Sequence, residues 1–339
     1  PSRGSRHSFW SCFFMDSEFS VKLAALYSDD VTKAPPWHGW VTADTIFSSL
    51  ASGSFAVATI LILFSPTVFG AVARACFIVA FAALITDVVC LILDLGDPLR
   101  FHHMLRTFNP KSPMSVGVWA MVIFSLFSFA DFLGSLAWFF GVGDFTQPVR
   151  IAAAIGILPA LAVASYKGVL MSSTAQPEWR EMRWLGATLS TSAGTLGLAV
   201  ALAASVALQS SPPAISMLRH SFAAVALISA LTMADDLIDA LSELRERLGD
   251  TPAILWTAAA IGGGSIVPAL GVLFESGAGS FKDLWAAILA FAGALAFRHL
   301  LIIRPHRRAG GSDGRDATSR RDRARGQCDR SESWPESPR

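Results

Sequence analysis

The sequence is poor in charge. Aspartate, glutamate, lysine and arginine make up 16% of its 339 residues, against about 25% in soluble domains. Hydrophobic residues make up 53% and the mean hydropathy is +0.49. Together these exclude an ordinary water-soluble domain and point to a polytopic membrane protein. Cysteine is scarce and scattered. Cys12, Cys76, Cys90 and Cys328 form no CxxC pair, so the chain has no thiolate framework for an iron–sulfur cluster or a zinc ion. Any such centre belongs to a partner. Tyrosine is rarer still, with Tyr27 and Tyr166 set against 24 phenylalanines and 10 tryptophans. A leader-like start is also missing. The first long apolar run begins near Val41, and Phe9 to Phe14 is apolar but short, so no cleavage is expected. The formal net charge of +1 carries little information, because the charges gather in loops and in the tail, and no nucleic-acid partner is expected.

What the chain does contain is long apolar runs, at 41–64, 72–93, 116–140, 149–171, 184–208, 214–237, 252–274 and 284–303. Each supplies the ~20 residues a spanning helix needs. The expected fold is an all-α integral membrane protein with eight transmembrane helices, arranged as two four-helix bundles, 37–172 and 173–304. A polar arm, 1–36, precedes them, mostly cytoplasmic and suited to lie on a partner. The tail, 305–339, is Arg, Asp, Gly and Ser with almost no apolar content. It is expected to be disordered, with its arginines near anionic lipid. Small residues such as Ser49, Gly53, Gly194, Gly197 and Gly264 thread the helices and are read as packing positions. Lys and Arg favour the side holding the N-terminal arm and the loops after the second, fourth and sixth helices, so both termini are expected in the cytoplasm. The alternation puts His220, which opens the sixth run, opposite His299 near the end of the eighth. They cannot share a haem iron, and no haem or metal is expected in the chain.

Asp94 to Trp119, DLGDPLRFHHMLRTFNPKSPMSVGVW, interrupts this pattern with Arg, His, Asn, Lys and three prolines between two apolar segments. Irregular backbone at a membrane needs water or protein around it, which marks the loop for function or docking. Ionisable residues inside spans cost roughly 2.5–3.5 kcal/mol each and are functional candidates by default. Alternating topology collects His38, Asp44, Asp87, Tyr166, Lys167 and Asn109 at one level of one face, on the side of this loop. Blander readings stand beside the functional one. Asp44 could serve the N-terminus of the first helix, Lys167 could snorkel to the surface, and Tyr166 could be a belt residue. Asp131 falls on the far side of the midplane, where it begins a proton route or pairs inside the bundle. Asp235, Asp236 and Asp239 read as a solvated helical extension without chemistry. His102 and His103 suit solvent, head groups or a partner better than a metal.

The order of residues in the loop, Asp-Leu-Gly-x-Pro-x-Arg and then Asn-Pro-x-Ser-Pro-Met-Ser-x-Gly-x-Trp, resembles the NrfD-like family of quinone-interacting membrane subunits of polysulfide-reductase-type complexes. Tyr166-Lys167-Gly168-Val169-Leu170-Met171-Ser172 is similar to that family's Tyr-x-Gly-x-Leu-x-Ser stretch, and Ser49-Leu50-Ala51-Ser52-Gly53 is a looser match to a small-residue patch in its first helix. The resemblance spans about 40–200. It implies an eight-helix subunit with no redox cofactor of its own, exchanging electrons between quinone or quinol (menaquinone or ubiquinone) and a ferredoxin-like iron–sulfur subunit. That partner would dock over 94–115 and would itself be attached to a catalytic, often molybdopterin, subunit in the bacterial cytoplasmic membrane. It further implies a quinone pocket at Tyr166, with His38 and Asp44 in the matching region of the first helix. A quinone needs a donor to its carbonyl oxygen and a protonatable relay. Tyr166, His38, Asn109 and Lys167 are the candidates for binding it, and Tyr166, His38, Asp44 and Asp87 for its proton chemistry. Lys167 departs from the small or hydroxyl residue expected beside the tyrosine. Two other readings remain. One is a proton- or ion-translocating subunit using Asp87, Asp131 and Lys167, with Pro159 and Pro268 breaking helices in the two halves. The other is a passive anchor.

Overall fold

The computed structural model describes residues 39–95, 102, 105–106, 108–174, 179, 182–244, 251–274 and 281–302, with backbone alone at 239–244 and 251–254. The expectations for the arm 1–36, for His38 and for the tail 305–339 lie outside the described residues, as does much of the loop 94–115.

The described residues form eight helices long and apolar enough to cross a membrane, and no strand. They are α1 Gly39–Phe64, α2 Pro66–Asp94, α3 Pro113–Phe139, α4 Thr146–Ser172, α5 Leu185–Ala207, α6 Pro212–Leu244, α7 from Thr251 to Leu273 and α8 Phe281–Ile302. Each matches one apolar run. The differences fall at the ends and have a local cause. α2, α3 and α6 open on prolines, which start helices well because their missing N–H would be unpaired there anyway. Hydropathy misses these turns. α3 is also closed by its cap, the Ser112 side chain accepting from the Ser115 N–H at 3.5 Å.

α1 is the axis of the assembly. It packs against α2, α4 and α5, while α3 lies against α4 and α2. Between α1 and α5 the backbones touch. A Cβ added at Gly53 would stand 1.8 Å from the Ala193 carbonyl oxygen, and one at Gly197 would stand 2.2 Å from the Gly53 carbonyl oxygen. Only glycine fits either position, as small-residue packing between membrane helices requires. Phe55 of α1 fills the next layer, edge-on to Phe77 of α2 and Phe124 of α3 with ring centres 5.2 Å and 5.1 Å away. All three rings are buried. Gly53→Val is therefore expected to split α1 from α5. A lowered unfolding temperature and a smaller monodisperse fraction in detergent would report it, and wild-type values would show that the contact yields cheaply.

Three buried polar ties link α6 and α8 to each other and to α5 and α1. Arg219 of α6 grips Asp283 in the first turn of α8 with two bonds of 2.7 Å. Arg298 of α8 donates to Ser49 of α1 at 2.7 Å and to Ser192 of α5 at 3.0 Å. Asp236 of α6 accepts from Thr188 of α5 at 2.6 Å. The last corrects the reading of Asp236 as a solvated charge. The helix does run on to Leu244, and Asp235 is exposed, but Asp236 faces inward. At the opposite end of the bundle, Asp144 precedes α4 and accepts from both the side chain and the backbone N–H of Thr146. Those bonds, with Arg74 nearby, hold its carboxyl below the usual range.

The two membrane prolines behave differently. α4 runs through Pro159 as one helix, whereas α7 passes through a π-helical turn at Gly262–Ile266 just before Pro268. Matching broken helices in the two halves, which a transporter-like mechanism would favour, are thus not found among the described residues.

Candidate functional site

Asp44 lies five residues into α1, Asp87 seven residues before the end of α2, and Lys167 five before the end of α4. At 1.5 Å per residue these positions are about 8–11 Å from the N-terminus of α1 and from the C-termini of α2 and α4. Antiparallel neighbours carry them to one level, and the side chains meet. The Lys167 Nζ stands 2.8 Å from Asp87 Oδ1, 2.9 Å from Asp44 Oδ2 and 2.9 Å from the Asp44 backbone oxygen. All three residues are buried. An ammonium has three protons, and here three oxygens surround it. Lys167 therefore does not snorkel, and Asp44 is not a cap at the interface. The two form a three-helix ionic knot with Asp87.

The knot forms one wall of a 130 Å³ cavity whose lining includes Val41, Asp44, Leu91, Asp94, Met114, Val118, Tyr166, Lys167, Leu170 and Met171. Its polar lining is Asp44, Thr45, Asp94, Tyr166 and Lys167 and the rest is apolar, a mixture suited to an apolar molecule with a few polar atoms. Tyr166 lines it next to the ammonium, which lies 5.6 Å from the centre of its ring. The position of that ring is set by α3. A Cβ on Gly117 would fall 2.0 Å from Tyr166 Cδ2, so the tyrosine lies flat on bare backbone. Gly117 belongs to the Ser-x-Gly-x-Trp stretch and Tyr166 to the Tyr-x-Gly stretch, so the two sequence signals meet at one contact. With the ammonium engaged by three oxygens of the two aspartates, the Tyr166 hydroxyl beside it is the candidate donor for a ligand. Gly117→Ala should displace the ring and weaken any ligand that Tyr166 holds, with little change in expression; unchanged ligand affinity would show that the ring adapts.

Asn109 is elsewhere. It is exposed, its Oδ1 accepts from the Lys111 N–H at 3.1 Å, and its own N–H is 3.0 Å from Ser115 Oγ. It builds the turn into α3 and does not line the cavity. Asp131 is also apart, buried on the far side of the Phe55–Phe77–Phe124 layer in residue order along α3. No group of three or more His, Cys, Asp or Glu able to hold a metal occurs among the described residues. Sequence reasoning overlooked Arg298, which is fully buried. The signal was present: an arginine inside Ala-Phe-Arg-His-Leu-Leu, four residues before the helix ends, with serines at matching depth in α1 and α5.

A family model described as "Polysulphide reductase, NrfD" matches residues 31–292. The chain belongs to the NrfD family. This NrfD protein is a multi-pass membrane protein, and the eight spans among its described residues lie inside or overlap the matched region. Over 127 residues it is 28% identical to a selenate reductase subunit of Mesobacillus selenatarsenatis, an alignment covering 38% of this chain and 28% of that protein.

Proposed function

We propose that this NrfD protein is the quinone-reactive membrane subunit of an oxidoreductase complex, passing electrons between quinone or quinol and a partner iron–sulfur subunit. The observation that carries this reading is the cavity in which Tyr166 stands beside the Lys167–Asp44–Asp87 knot. Family membership and the likeness to a reductase subunit support it. The apolar wall of Val41, Leu91, Met114, Val118 and Leu170 suits a quinone ring, which supplies the two-electron, two-proton chemistry when bound. Tyr166 orients the ring through its hydroxyl and passes a proton at the oxygen it meets. Asp44, the carboxylate of the knot that lines the cavity, takes or returns a proton there. Asp87 lies behind it as the next acceptor, and Lys167 keeps both carboxylates in place. His38 precedes α1 and is proposed to border the same pocket.

The partner is a ferredoxin-like iron–sulfur subunit docked over 94–115, since electron tunnelling needs close centres, with a catalytic, molybdopterin-type subunit beyond it. The membrane is the bacterial cytoplasmic membrane, with both termini and the docking loop inside. A C-terminal alkaline phosphatase fusion should be inactive and a C-terminal green fluorescent protein bright; the opposite pattern would place site and partner on the outer face. Binding is tested with the full-length chain in lipid nanodiscs and a short-chain naphthoquinone or benzoquinone. Saturable binding lost with bulky replacements at Val118 is expected, and absence of saturable binding by either class would refute the assignment.

A further inference from the structure

Asp131 has no part in the site above. It is 0% exposed, and neither carboxylate oxygen has a hydrogen-bond partner among the described residues. A buried carboxyl without partners costs several kcal/mol in either the hydrogen bonds or the charge it forgoes. Such groups in native proteins call for an explanation. Here one lies alongside. Asp131 is in the wall of a 420 Å³ cavity between the last turns of α3 and the first turns of α4. Ala130 and Ala137 on α3 face Pro148 and Ala152 on α4, with the Val149 side chain seated on Gly134 beside them, and the small alanine side chains leave a slot where larger ones would close it. Leu133 and Phe145 at the rim are exposed on the outer surface of the helices, which in a membrane-spanning bundle is the lipid side. The slot is about three times the volume of the Tyr166 cavity, 420 against 130 Å³, and it opens at the other end of α3 and α4.

We propose that this slot is a second site for the head of a quinol, entered from the lipid, with Asp131 as its polar anchor. The chemistry complements the first site. Tyr166 offers a hydroxyl donor to a carbonyl, whereas a carboxyl in either protonation state keeps an acceptor oxygen, which suits the hydroxyls that the reduced ring carries and the oxidised ring lacks. The Asp131 oxygens are enclosed in the unliganded protein, and binding turns the side chain to present them to the slot. Walls of Ala130, Ala137, Pro148, Val149 and Ala152 and the ring of Phe145 take the faces of an aromatic head, and the tail remains among lipid. An ammonium from a lipid head group could also meet a carboxylate, but it would leave a narrow apolar slot poorly filled.

This inference rests on the reading of the protein as quinone-reactive, and its test separates the two. The probe is reduced 2,3-dimethyl-1,4-naphthoquinone, titrated under anaerobic conditions against the full-length chain in phosphatidylcholine nanodiscs. Two equivalents are expected for the wild type. Asp131→Leu, which removes both acceptor oxygens, should weaken one of them at least tenfold, and so should Ala152→Leu, which fills the slot while leaving the carboxyl in place. Tyr166→Phe should affect only the other. One equivalent, sensitive to Tyr166→Phe and indifferent to both slot variants, would overturn the second site and leave the first. One equivalent sensitive only to the slot variants would keep the second site and overturn the first. Displacement of the Asp131-dependent equivalent by phosphatidylethanolamine would assign the slot to a lipid head group and overturn the proposal.

Discussion

Lys167→Met is expected to lower the stability of the bundle by about 3–5 kcal/mol, the range found when one partner of a buried ion pair is removed. The methionine fills much of the space, so lost packing contributes little. The cost comes from leaving Asp44 and Asp87 in the interior without the cation that both face at 2.8–2.9 Å. Thermal unfolding of the purified chain in detergent would measure it. Adding Asp87→Asn and Asp44→Asn to Lys167→Met should recover most of the loss, because a neutral set no longer carries uncompensated charge. If Lys167→Met unfolds at the wild-type temperature, the knot does not hold these helices. If the triple variant is no better than the single one, the lysine acts through its shape and not its charge.

Tyr166→Phe is expected to reduce quinol turnover of the assembled complex by about 100-fold while leaving folding and subunit association unchanged. The magnitude separates two roles. Loss of a neutral hydrogen bond worth about 1 kcal/mol would change KM about fivefold. Loss of a group through which a proton is passed costs 10²-fold or more in kcat, a typical size for general acid–base catalysis. Steady-state kinetics with a water-soluble quinol distinguishes them. A KM effect alone would make Tyr166 a binding residue, and wild-type kinetics would remove it from the site. The phenylalanine ring can still lie on Gly117, so this variant leaves the wall of the cavity intact.

The number and extent of the helices were legible because hydrophobic length is a one-dimensional property. The level shared by Asp44, Asp87, Tyr166 and Lys167 was legible too, since alternating direction converts residue number into depth. What the sequence left open was the direction in which each side chain points around its helix. Lys167, five residues from the end of α4, is within reach of the surface, and only the arrangement of α1 and α2 around it shows that it turns inward. The same ambiguity hid Arg298 and Asp236. Arg298 lies four residues from the end of α8 and Asp236 at the end of the apolar run of α6, where a charge normally reaches water, and both are instead closed in by hydroxyl-bearing neighbours. Asn109 misled for the opposite reason. It stood beside a motif, but its amide was needed to shape the backbone there. Gly117 carried information that only the fold decodes, because its value lies in the atom it omits.

The ionic knot also bears on how the chain is made. Asp44 and Asp87 emerge from the ribosome well before the lysine that neutralises them, which follows the second aspartate by 80 residues and the first by 123. Each carboxylate costs roughly 2.5–3.5 kcal/mol to place alone in the bilayer core. The first hairpin is therefore expected to dwell beside the insertion machinery, or shallow in the lipid, until the fourth helix arrives. The guanidinium of Arg298 meets Ser49 across 249 residues of chain, so the same first helix receives a final contact only when the eighth has entered. Biogenesis of this protein is thus a matter of partners kept waiting, and truncations ending before α4 should be extracted and degraded where longer ones persist.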